Sequence, residues 1–437
     1  MPLRPESSWA HAPKHAARAR RNGLKKGATA ILLLAVLVSI VWVTAFRGGS
    51  KTNARTRSST GSIGSVGSNA GGSSGSATTS ANGASFNVKS WMASLEAKVK
   101  GQPGHLQPGS DPSALPGPIL IADEGNSRLL LVDPKGRILW QFPSPGNLAP
   151  GQTFVEPDDA FFGPTGSDIM ATQESQFVVT EISIQTGRII YRYGHPGISG
   201  SAPGYLNNPD DAMLLPNGNI FTADIKNCRL LYLSPSSSSP VHIYGETTSY
   251  CYHQPPARFG SPNGVFPMAN GDWLVTEING DWVDEMTPSG QIKFSTHPPG
   301  ITYPSDSNEV SPGVFLTAAY TSPGVIEEFN QAGSLVWRFD PTGSQTLNHP
   351  SIAIPLPNGN VLATDDRNDR VIVIDKKTNK IIWQYGYTGV SGTKPGYIDE
   401  PDGVDLAPPY SLLLTQAATM GIPPFEPAGS PTPTTGG

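Results

Sequence analysis

Charge and sulfur are both scarce in this chain. Charged residues occupy 15% of the 437 positions, and there are 2 cysteines. No HExxH, CxxC, Ser/His/Asp order or phosphate-cradling glycine loop occurs, so the usual zinc-protease, dithiol and nucleotide-binding signatures are absent. Helix formers are few against 48 Gly and 43 Pro, which excludes an all-α protein and favours turn-dense β structure. Beyond residue 60 the chain holds 19 Lys/Arg against 34 Asp/Glu, a net −15. An acidic body of this kind argues against nucleic acid as a partner.

Long apolar stretches are also missing, apart from one. Residues 27–46, with ILLLAVLVSIVWV at their centre, form a 20-residue uncharged run, long enough for one helical membrane crossing. Seven cations precede it (Arg4, Lys14, Arg18, Arg20, Arg21, Lys25, Lys26) and four follow within a dozen residues. This bias predicts residues 1–26 in the cytoplasm, 27–46 as an uncleaved signal anchor and the rest of the chain outside. A secretory signal cleaved after Val43-Thr44-Ala45 is the alternative, and it places the same body outside the cytoplasm. Residues 47–85 are nearly all Gly, Ser, Thr, Ala and Asn, as in a flexible stalk. In 86–100, Val88, Trp91, Met92, Leu95 and Val99 recur at helical spacing, predicting an amphipathic helix packed on the main domain. Residues 421–437 read as an unstructured Pro/Thr tail.

What is present in abundance is repetition. YGHPGISGSAPGYLNNPDDA from Tyr193 and YGYTGVSGTKPGYIDEPDGV from Tyr385 are identical at ten of twenty positions, 192 residues apart. The related segments GSDIMAT, NGNIFTAD, NGDWLVTE, GVFLTAA and NGNVLATD divide the interval into four steps averaging 48 residues. That is slightly longer than a four-stranded propeller blade. Each copy reads as four short strands: a after a proline, b after an Asn-Gly turn, c after a polar turn, and d carrying Trp140, Tyr191, Phe294, Trp337 or Trp383 as inter-blade packing. Strands d number six and Pro-led strands a number six, so residues 117–416 are expected to form an all-β, six-bladed β-propeller. The first b, c, d set (119–142) lacks an inner strand and the last strand a (403–406) lacks c and d, so joining them closes the ring. YSLLLTQ near 411 resembles a surplus strand b, and a seven-bladed ring is the alternative.

NPDDAMLLPNGNIFTADIKNCRLLYL and HPSIAIPLPNGNVLATDDRNDRVIVID resemble NHL repeats, in which a Pro-led strand, a glycine turn, an Ala-Asp ending and an Asn-x-Arg follow in order. DKKTNKIIW at 375–383 is similar to the tryptophan-docking motif of pyrroloquinoline-quinone-type propellers, with Asn379 where that motif has Gly. The resemblance implies a scaffold shared by many functions. Six blades and no vicinal cysteine pair set the chain apart from the quinoprotein dehydrogenases.

Topology then orders the candidates. In antiparallel blades the b–c turns and d–a crossings share one face, and the d–a crossings here are the long ones. Asp158, Asp159, Asp210, Asp211, Asn263, Asp306, Ser351 and Asp402 follow the prolines and are expected at the mouth of the central channel. As a carboxylate ring they would suit Ca²⁺ or a cationic ligand; as turn residues they would bond the local backbone. Asp123, Asp224, Glu277 and Asp365 end strand b and read as turn-bonding residues. His195, His253, His297 and His349 fall in d–a crossings; three imidazoles around the channel would bind Zn²⁺, as the resemblance to NHL-type lyases implies, and solvated loop histidines are the alternative. The expected function is a membrane-anchored module binding an extracytoplasmic ligand or protein through its crossings. The alternative is a propeller enzyme at the channel mouth, a metal-assisted lyase or hydrolase or an arylsulfotransferase-like transferase.

Cys228, in a b–c turn, and Cys251, in the following crossing, emerge on one face of one blade, so a disulfide is expected in an oxidising compartment, with two free buried thiols as the alternative. Mass analysis without reductant is expected to find them joined. Reduction is expected to cost about 3 kcal/mol in denaturant melts, for a closed loop of about 22 residues.

Overall fold

The computed structural model describes residues 86–411. The expected span at 27–46, the stalk, the C-terminal tail and nearly all of the surplus strand near 411 lie outside the described residues. No helix among the described residues is long and apolar enough to cross a membrane.

Six four-stranded antiparallel sheets form a six-bladed propeller. Blade 1 combines Pro401–Leu406 with Ile119–Asp123, Arg128–Val132 and Ile138–Phe142. The late strand pairs with the early one through Ile119 opposite Leu406 and Ile121 opposite Val404, which joins the two ends of the ring. The inner strands of blades 2 to 6 are Ala160–Phe162, Pro209–Leu214, Pro262–Pro267, Pro304–Ser311 and Ala353–Pro355. Neighbouring inner strands contact one another from blade 1 round to blade 6, and strand b of blade 6, Val361–Asp365, contacts the inner strand of blade 1. Backbone-directed bonds link them: Phe162 N–H donates to Asp405 Oδ2 at 2.9 Å, and Val265 N–H to Asp211 Oδ2 at 2.8 Å.

Each inner strand is entered through the same kink. The residue before its proline (Glu156, Asn208, Ser261, Tyr303, His349, Glu400) has φ between 50° and 57° in every blade. A non-glycine residue in this region costs on the order of 1 kcal/mol. The proline that follows has no backbone N–H to donate, and in blades 1, 3, 4 and 5 it is the first residue of the inner strand.

The strand-b ends and the Asn-x-Arg signals form one repeated module. Asp123, Asp224 and Asp365 stand directly opposite Arg128, Arg229 and Arg370 in the b–c ladder. The pairs close at 2.6, 2.8 and 2.7 Å and are almost fully buried. Asn126, Asn227 and Asn368 donate to the same carboxylates, and each Asp also accepts a backbone N–H from the preceding crossing. These Asp residues therefore bond the turns, as their position suggests, and an Arg stands behind each. Burial outweighs the Arg128 charge and lifts the Asp123 carboxyl to about 6.

The outer-strand aromatics dock on the next blade. Trp383 is fully buried, and its Nε1 donates to Pro134 O at 2.9 Å; Tyr244 Oη donates to Pro288 O at 2.7 Å; Trp337 Nε1 donates to Asn379 Oδ1 at 2.8 Å. Asn379, at φ 50°, occupies a left-handed position that explains the glycine of the related motif, and here its amide clasps the neighbouring tryptophan. Trp140, Tyr191, Phe294 and Trp337 are half-buried, because strand d is the outer edge of its sheet. Helix α1, Val88–Lys98, is capped by Asn87 Oδ1 accepting from Ser90 N–H. Its Met92 and Leu95 pack with Leu139 and Phe142 of blade 1.

Replacing Arg370 with Ala leaves the buried Asp365 carboxylate without its cation. It is expected to cost about 3–5 kcal/mol in urea melts, whereas the outer-edge change Leu335→Ser is expected to cost little.

Candidate functional site

The post-proline residues converge on the propeller axis in two tiers. The first holds Asp158, Asp210, Asn263, Ser305, Ser351 and Asp402, the second Asp159, Asp211, Gly264, Asp306, Ile352 and Gly403. Asp306 therefore belongs one step deeper than its sequence neighbours suggest, and Ser305 takes the first-tier place. All the polar members are 0–4% exposed, so they plug the axis and do not line an open mouth.

The two halves of the first tier differ in chemistry. On one side Asn263 Nδ2 donates to Ser305 O at 3.3 Å and Oγ at 3.2 Å, and the Ser305 and Ser351 hydroxyls lie 3.1 Å apart. On the other, carboxylates crowd together. Asp158 and Asp402 approach Glu124, Asp158 also groups with Asp159 and Asp210, and Asp159, Asp211 and Asp306 form a third set, each set with its oxygens within 4.8 Å. Glycines make the room. A Cβ at Gly403 would lie 2.5 Å from Asp159 Oδ1, and one at Gly264 would lie 2.7 Å from Asp306 Oδ1. The carboxylates thus lean across the neighbouring strand where no side chain stands.

Asp159 Oδ1 and Asp211 Oδ1 are buried and have no hydrogen-bond partner. Burial first, and then the charges of Asp210, Asp211, Asp306 and Asp402, hold the Asp159 carboxyl well above the usual range; Asp211 is raised by burial, then by Asp306 and Asp210. Such a set either keeps protons or takes up a hard cation, which prefers several convergent oxygens.

The four crossing histidines do not assemble. His195 lies tilted against Tyr205 at 4.3 Å, His297 tilted against Trp282 at 3.6 Å, and His349 packs edge-on to Tyr320 at 4.9 Å with Nδ1 2.8 Å from Asn348 Oδ1. Among the described residues, no cluster with metal-ligand spacing contains more than one histidine, and His253 is the one that enters such a cluster. Sequence reading passed over Tyr320, Asp366 and Arg367. Tyr320 Oη donates to Asp366 Oδ2 at 2.5 Å, and Arg367 approaches Asp366 at 3.7 Å and Glu400 at 3.6 Å. The DDRNDR run at 365–370 carries no distinguishing signal, because its Asp365 and Arg370 serve the repeat module.

The crossing face carries exposed apolar groups: Ile198 (58%), Tyr250 (75%), Tyr252 (50%), Tyr387 (38%) and Val390 (51%). Ile198 and Val390 occupy matching places in the two most similar repeats, each in a tight bridge, His195 with Ile198 and Tyr387 with Val390. Cys228 and Cys251 are joined, as expected, and this tethers the crossing that bears Tyr250 and Tyr252.

The six sheets thus define a six-bladed β-propeller. A repeat-family model described as outer membrane protein assembly factor BamB matches residues 322–399, which includes the tryptophan-docking segment. No curated protein matches the sequence. Similar solved structures include a protein of unknown function from Bacteroides caccae, at 18% identity over 66% of this chain and 98% of that one, with a TM-score of 0.47. A chain of the nidogen/laminin complex matches at 14% identity over the same shares, also with a TM-score of 0.47. A streptogramin B lyase matches at 18% identity over 52% of this chain and 67% of that one, with a TM-score of 0.38.

Asp159→Asn removes one member of the crowded set. With divalent cations chelated, it is expected to stabilise the protein at pH 7.5 by roughly 1 kcal/mol. The gain should vanish near pH 5, where the wild-type carboxyls with their raised pKa already hold protons and the folded state is favoured. Thermal melts at the two pH values check this.

Proposed function

We propose that this protein is a membrane-anchored, extracytoplasmic binding module that engages a ligand or protein partner through its d–a crossings. The observation that carries this reading is the set of exposed aromatic and aliphatic side chains on the crossing face, four of them half or more exposed in braced loops. Apolar side chains presented on preorganised loops are the usual anchors of recognition surfaces. The buried axis supports the same reading, since the central carboxylates are closed to a substrate. They serve as a structural site for Ca²⁺, shared by inner strands of blades 2, 3 and 5 through Asp159, Asp211 and Asp306. The apolar run at 27–46 supports the anchor, and the disulfide supports an oxidising compartment.

One observation favours an enzyme as the second reading. Tyr320, Asp366, Arg367 and His349 bring a phenol, a buried acid, a guanidinium and an imidazole together beside the crossing face. Burial, and then the Arg367 charge, push the His349 imidazole below its usual pKa, as suits a neutral base.

Photo-crosslinking residues installed in living cells at positions 198, 250 and 390 are expected to give discrete adducts, and at the outer-edge positions 190 and 335 none. Equal labelling of face and edge would remove the binding reading, and turnover lost in His349→Ala would establish the enzyme. Separately, Ca²⁺ is expected to raise the thermal midpoint of wild-type protein by several degrees, about 2–4 °C per kcal/mol, and to leave Asp211→Asn unmoved.

A further inference from the structure

The repeat module of buried Asp opposite Arg is replaced in blade 4 by something chemically different. In the b–c ladder of blades 1, 3 and 6, Asp123, Asp224 and Asp365 face Arg128, Arg229 and Arg370. At the same register blade 4 has Glu277 opposite Trp282. Two residues along strand c, where those blades have Leu130, Leu231 and Ile372, blade 4 has Asp284, opposite Val275. The cation is lost and a second acid is gained in one place. Glu277 and Asp284 are both fully buried.

The basic group facing them comes from outside the blade. His253, in the crossing that enters blade 4, places Nδ1 3.1 Å from Glu277 Oε2 and 3.8 Å from Asp284 Oδ2. Glu277 Oε2 also accepts Gly260 N–H at 2.6 Å, while the buried Oε1 has no hydrogen-bond partner. The imidazole is held from several sides. Its ring lies flat on Trp282 at 4.1 Å and 12°, and His297 lies tilted against the same indole at 3.6 Å. Two residues upstream, Cys251 is bonded to Cys228, and its carbonyl accepts from Asn279 Nδ2 at 2.9 Å. The ring is also partly exposed, its side chain at 19%, so an ion can reach it from solvent. A neutral imidazole cannot balance two buried carboxylates, whereas a divalent ion can.

We propose that His253, Glu277 and Asp284 form a binding site for a divalent transition metal, with zinc the best match to one imidazole and two carboxylates. The site is separate from the axial carboxylates and does not depend on the binding role proposed above. The Trp282 stack and the disulfide act as its supports, fixing the ring on which metal capture depends.

The test uses purified, chelator-stripped protein in an Asp158→Asn, Asp159→Asn background, which takes a carboxylate from each of the three axial sets, and titrates Zn²⁺ by calorimetry and Co²⁺ by visible absorption. One equivalent of Zn²⁺ is expected to bind, and Co²⁺ to give d–d bands. His253→Gln and Glu277→Gln are each expected to weaken binding by at least about tenfold. Trp282→Arg is the control for folding: it rebuilds the ion pair of the sister blades, and it should fold and bind no metal. A parent protein that binds no zinc, or a folded His253→Gln protein that binds it as tightly as the parent, overturns the proposal.

Discussion

Closure of the ring is the constraint from which the rest of this molecule follows. A propeller blade buries both faces of its sheet only if a neighbour stands on each side, so an open array would leave two apolar faces in water. Here the strand at 401–406 returns to complete the sheet begun at 119–142. Once the circle is closed, all six inner strands must start at one axis, and whatever follows their prolines must share that space. The left-handed residue before each proline is the geometric cost of turning every crossing into the axis.

That convergence explains why the acids are where they are. Repetition places a polar residue after each proline, and closure gathers six of them into a volume with no room for six charges. The chain resolves this asymmetrically. Serine and asparagine bond one another on one arc of the first tier, and glycines at 264 and 403 in the second tier let the neighbouring carboxylates lean across. The exposed apolar face of the crossings is a separate consequence of the same topology. Crossings that begin on outer strands and end on inner ones must run over one face, and there the disulfide and the short bridged turns hold apolar side chains out in solvent.

Much of this was legible from residue order. The NGN turns, the recurring d strands and the unpaired terminal strands lead to six blades, and the placement of Cys228 and Cys251 in one blade leads to their bond. The site was legible only in part. Post-proline acids can be named from the pattern, but Asp306 stands two residues after its proline, so grouping it with the first-tier residues passes over Ser305. The four histidines all fall in d–a crossings but at different places within them, His195 and His297 just past strand d, His253 midway and His349 directly before its proline, so they meet different partners. Glu277 was legible as a strand end; that its Arg had become Trp282 emerges from register, which no local motif states.

The sequence by itself determined the unit and its number: four strands, a proline-led entry and an aromatic exit, with apolar alternation strong enough to specify which residues face a neighbouring sheet. Tertiary structure alone decided which of the repeated positions meet. Contacts at the axis and between a crossing and the blade it enters join residues up to hundreds apart in the chain, and their distances are set by how the sheets twist and close. The pairing of His253 with Glu277 and Asp284, and the burial of Asp159 against Asp211 and Asp306, belong to that second category. Local preference encodes strands well, and it encodes the convergence of separate strands only through the closed packing that they jointly produce.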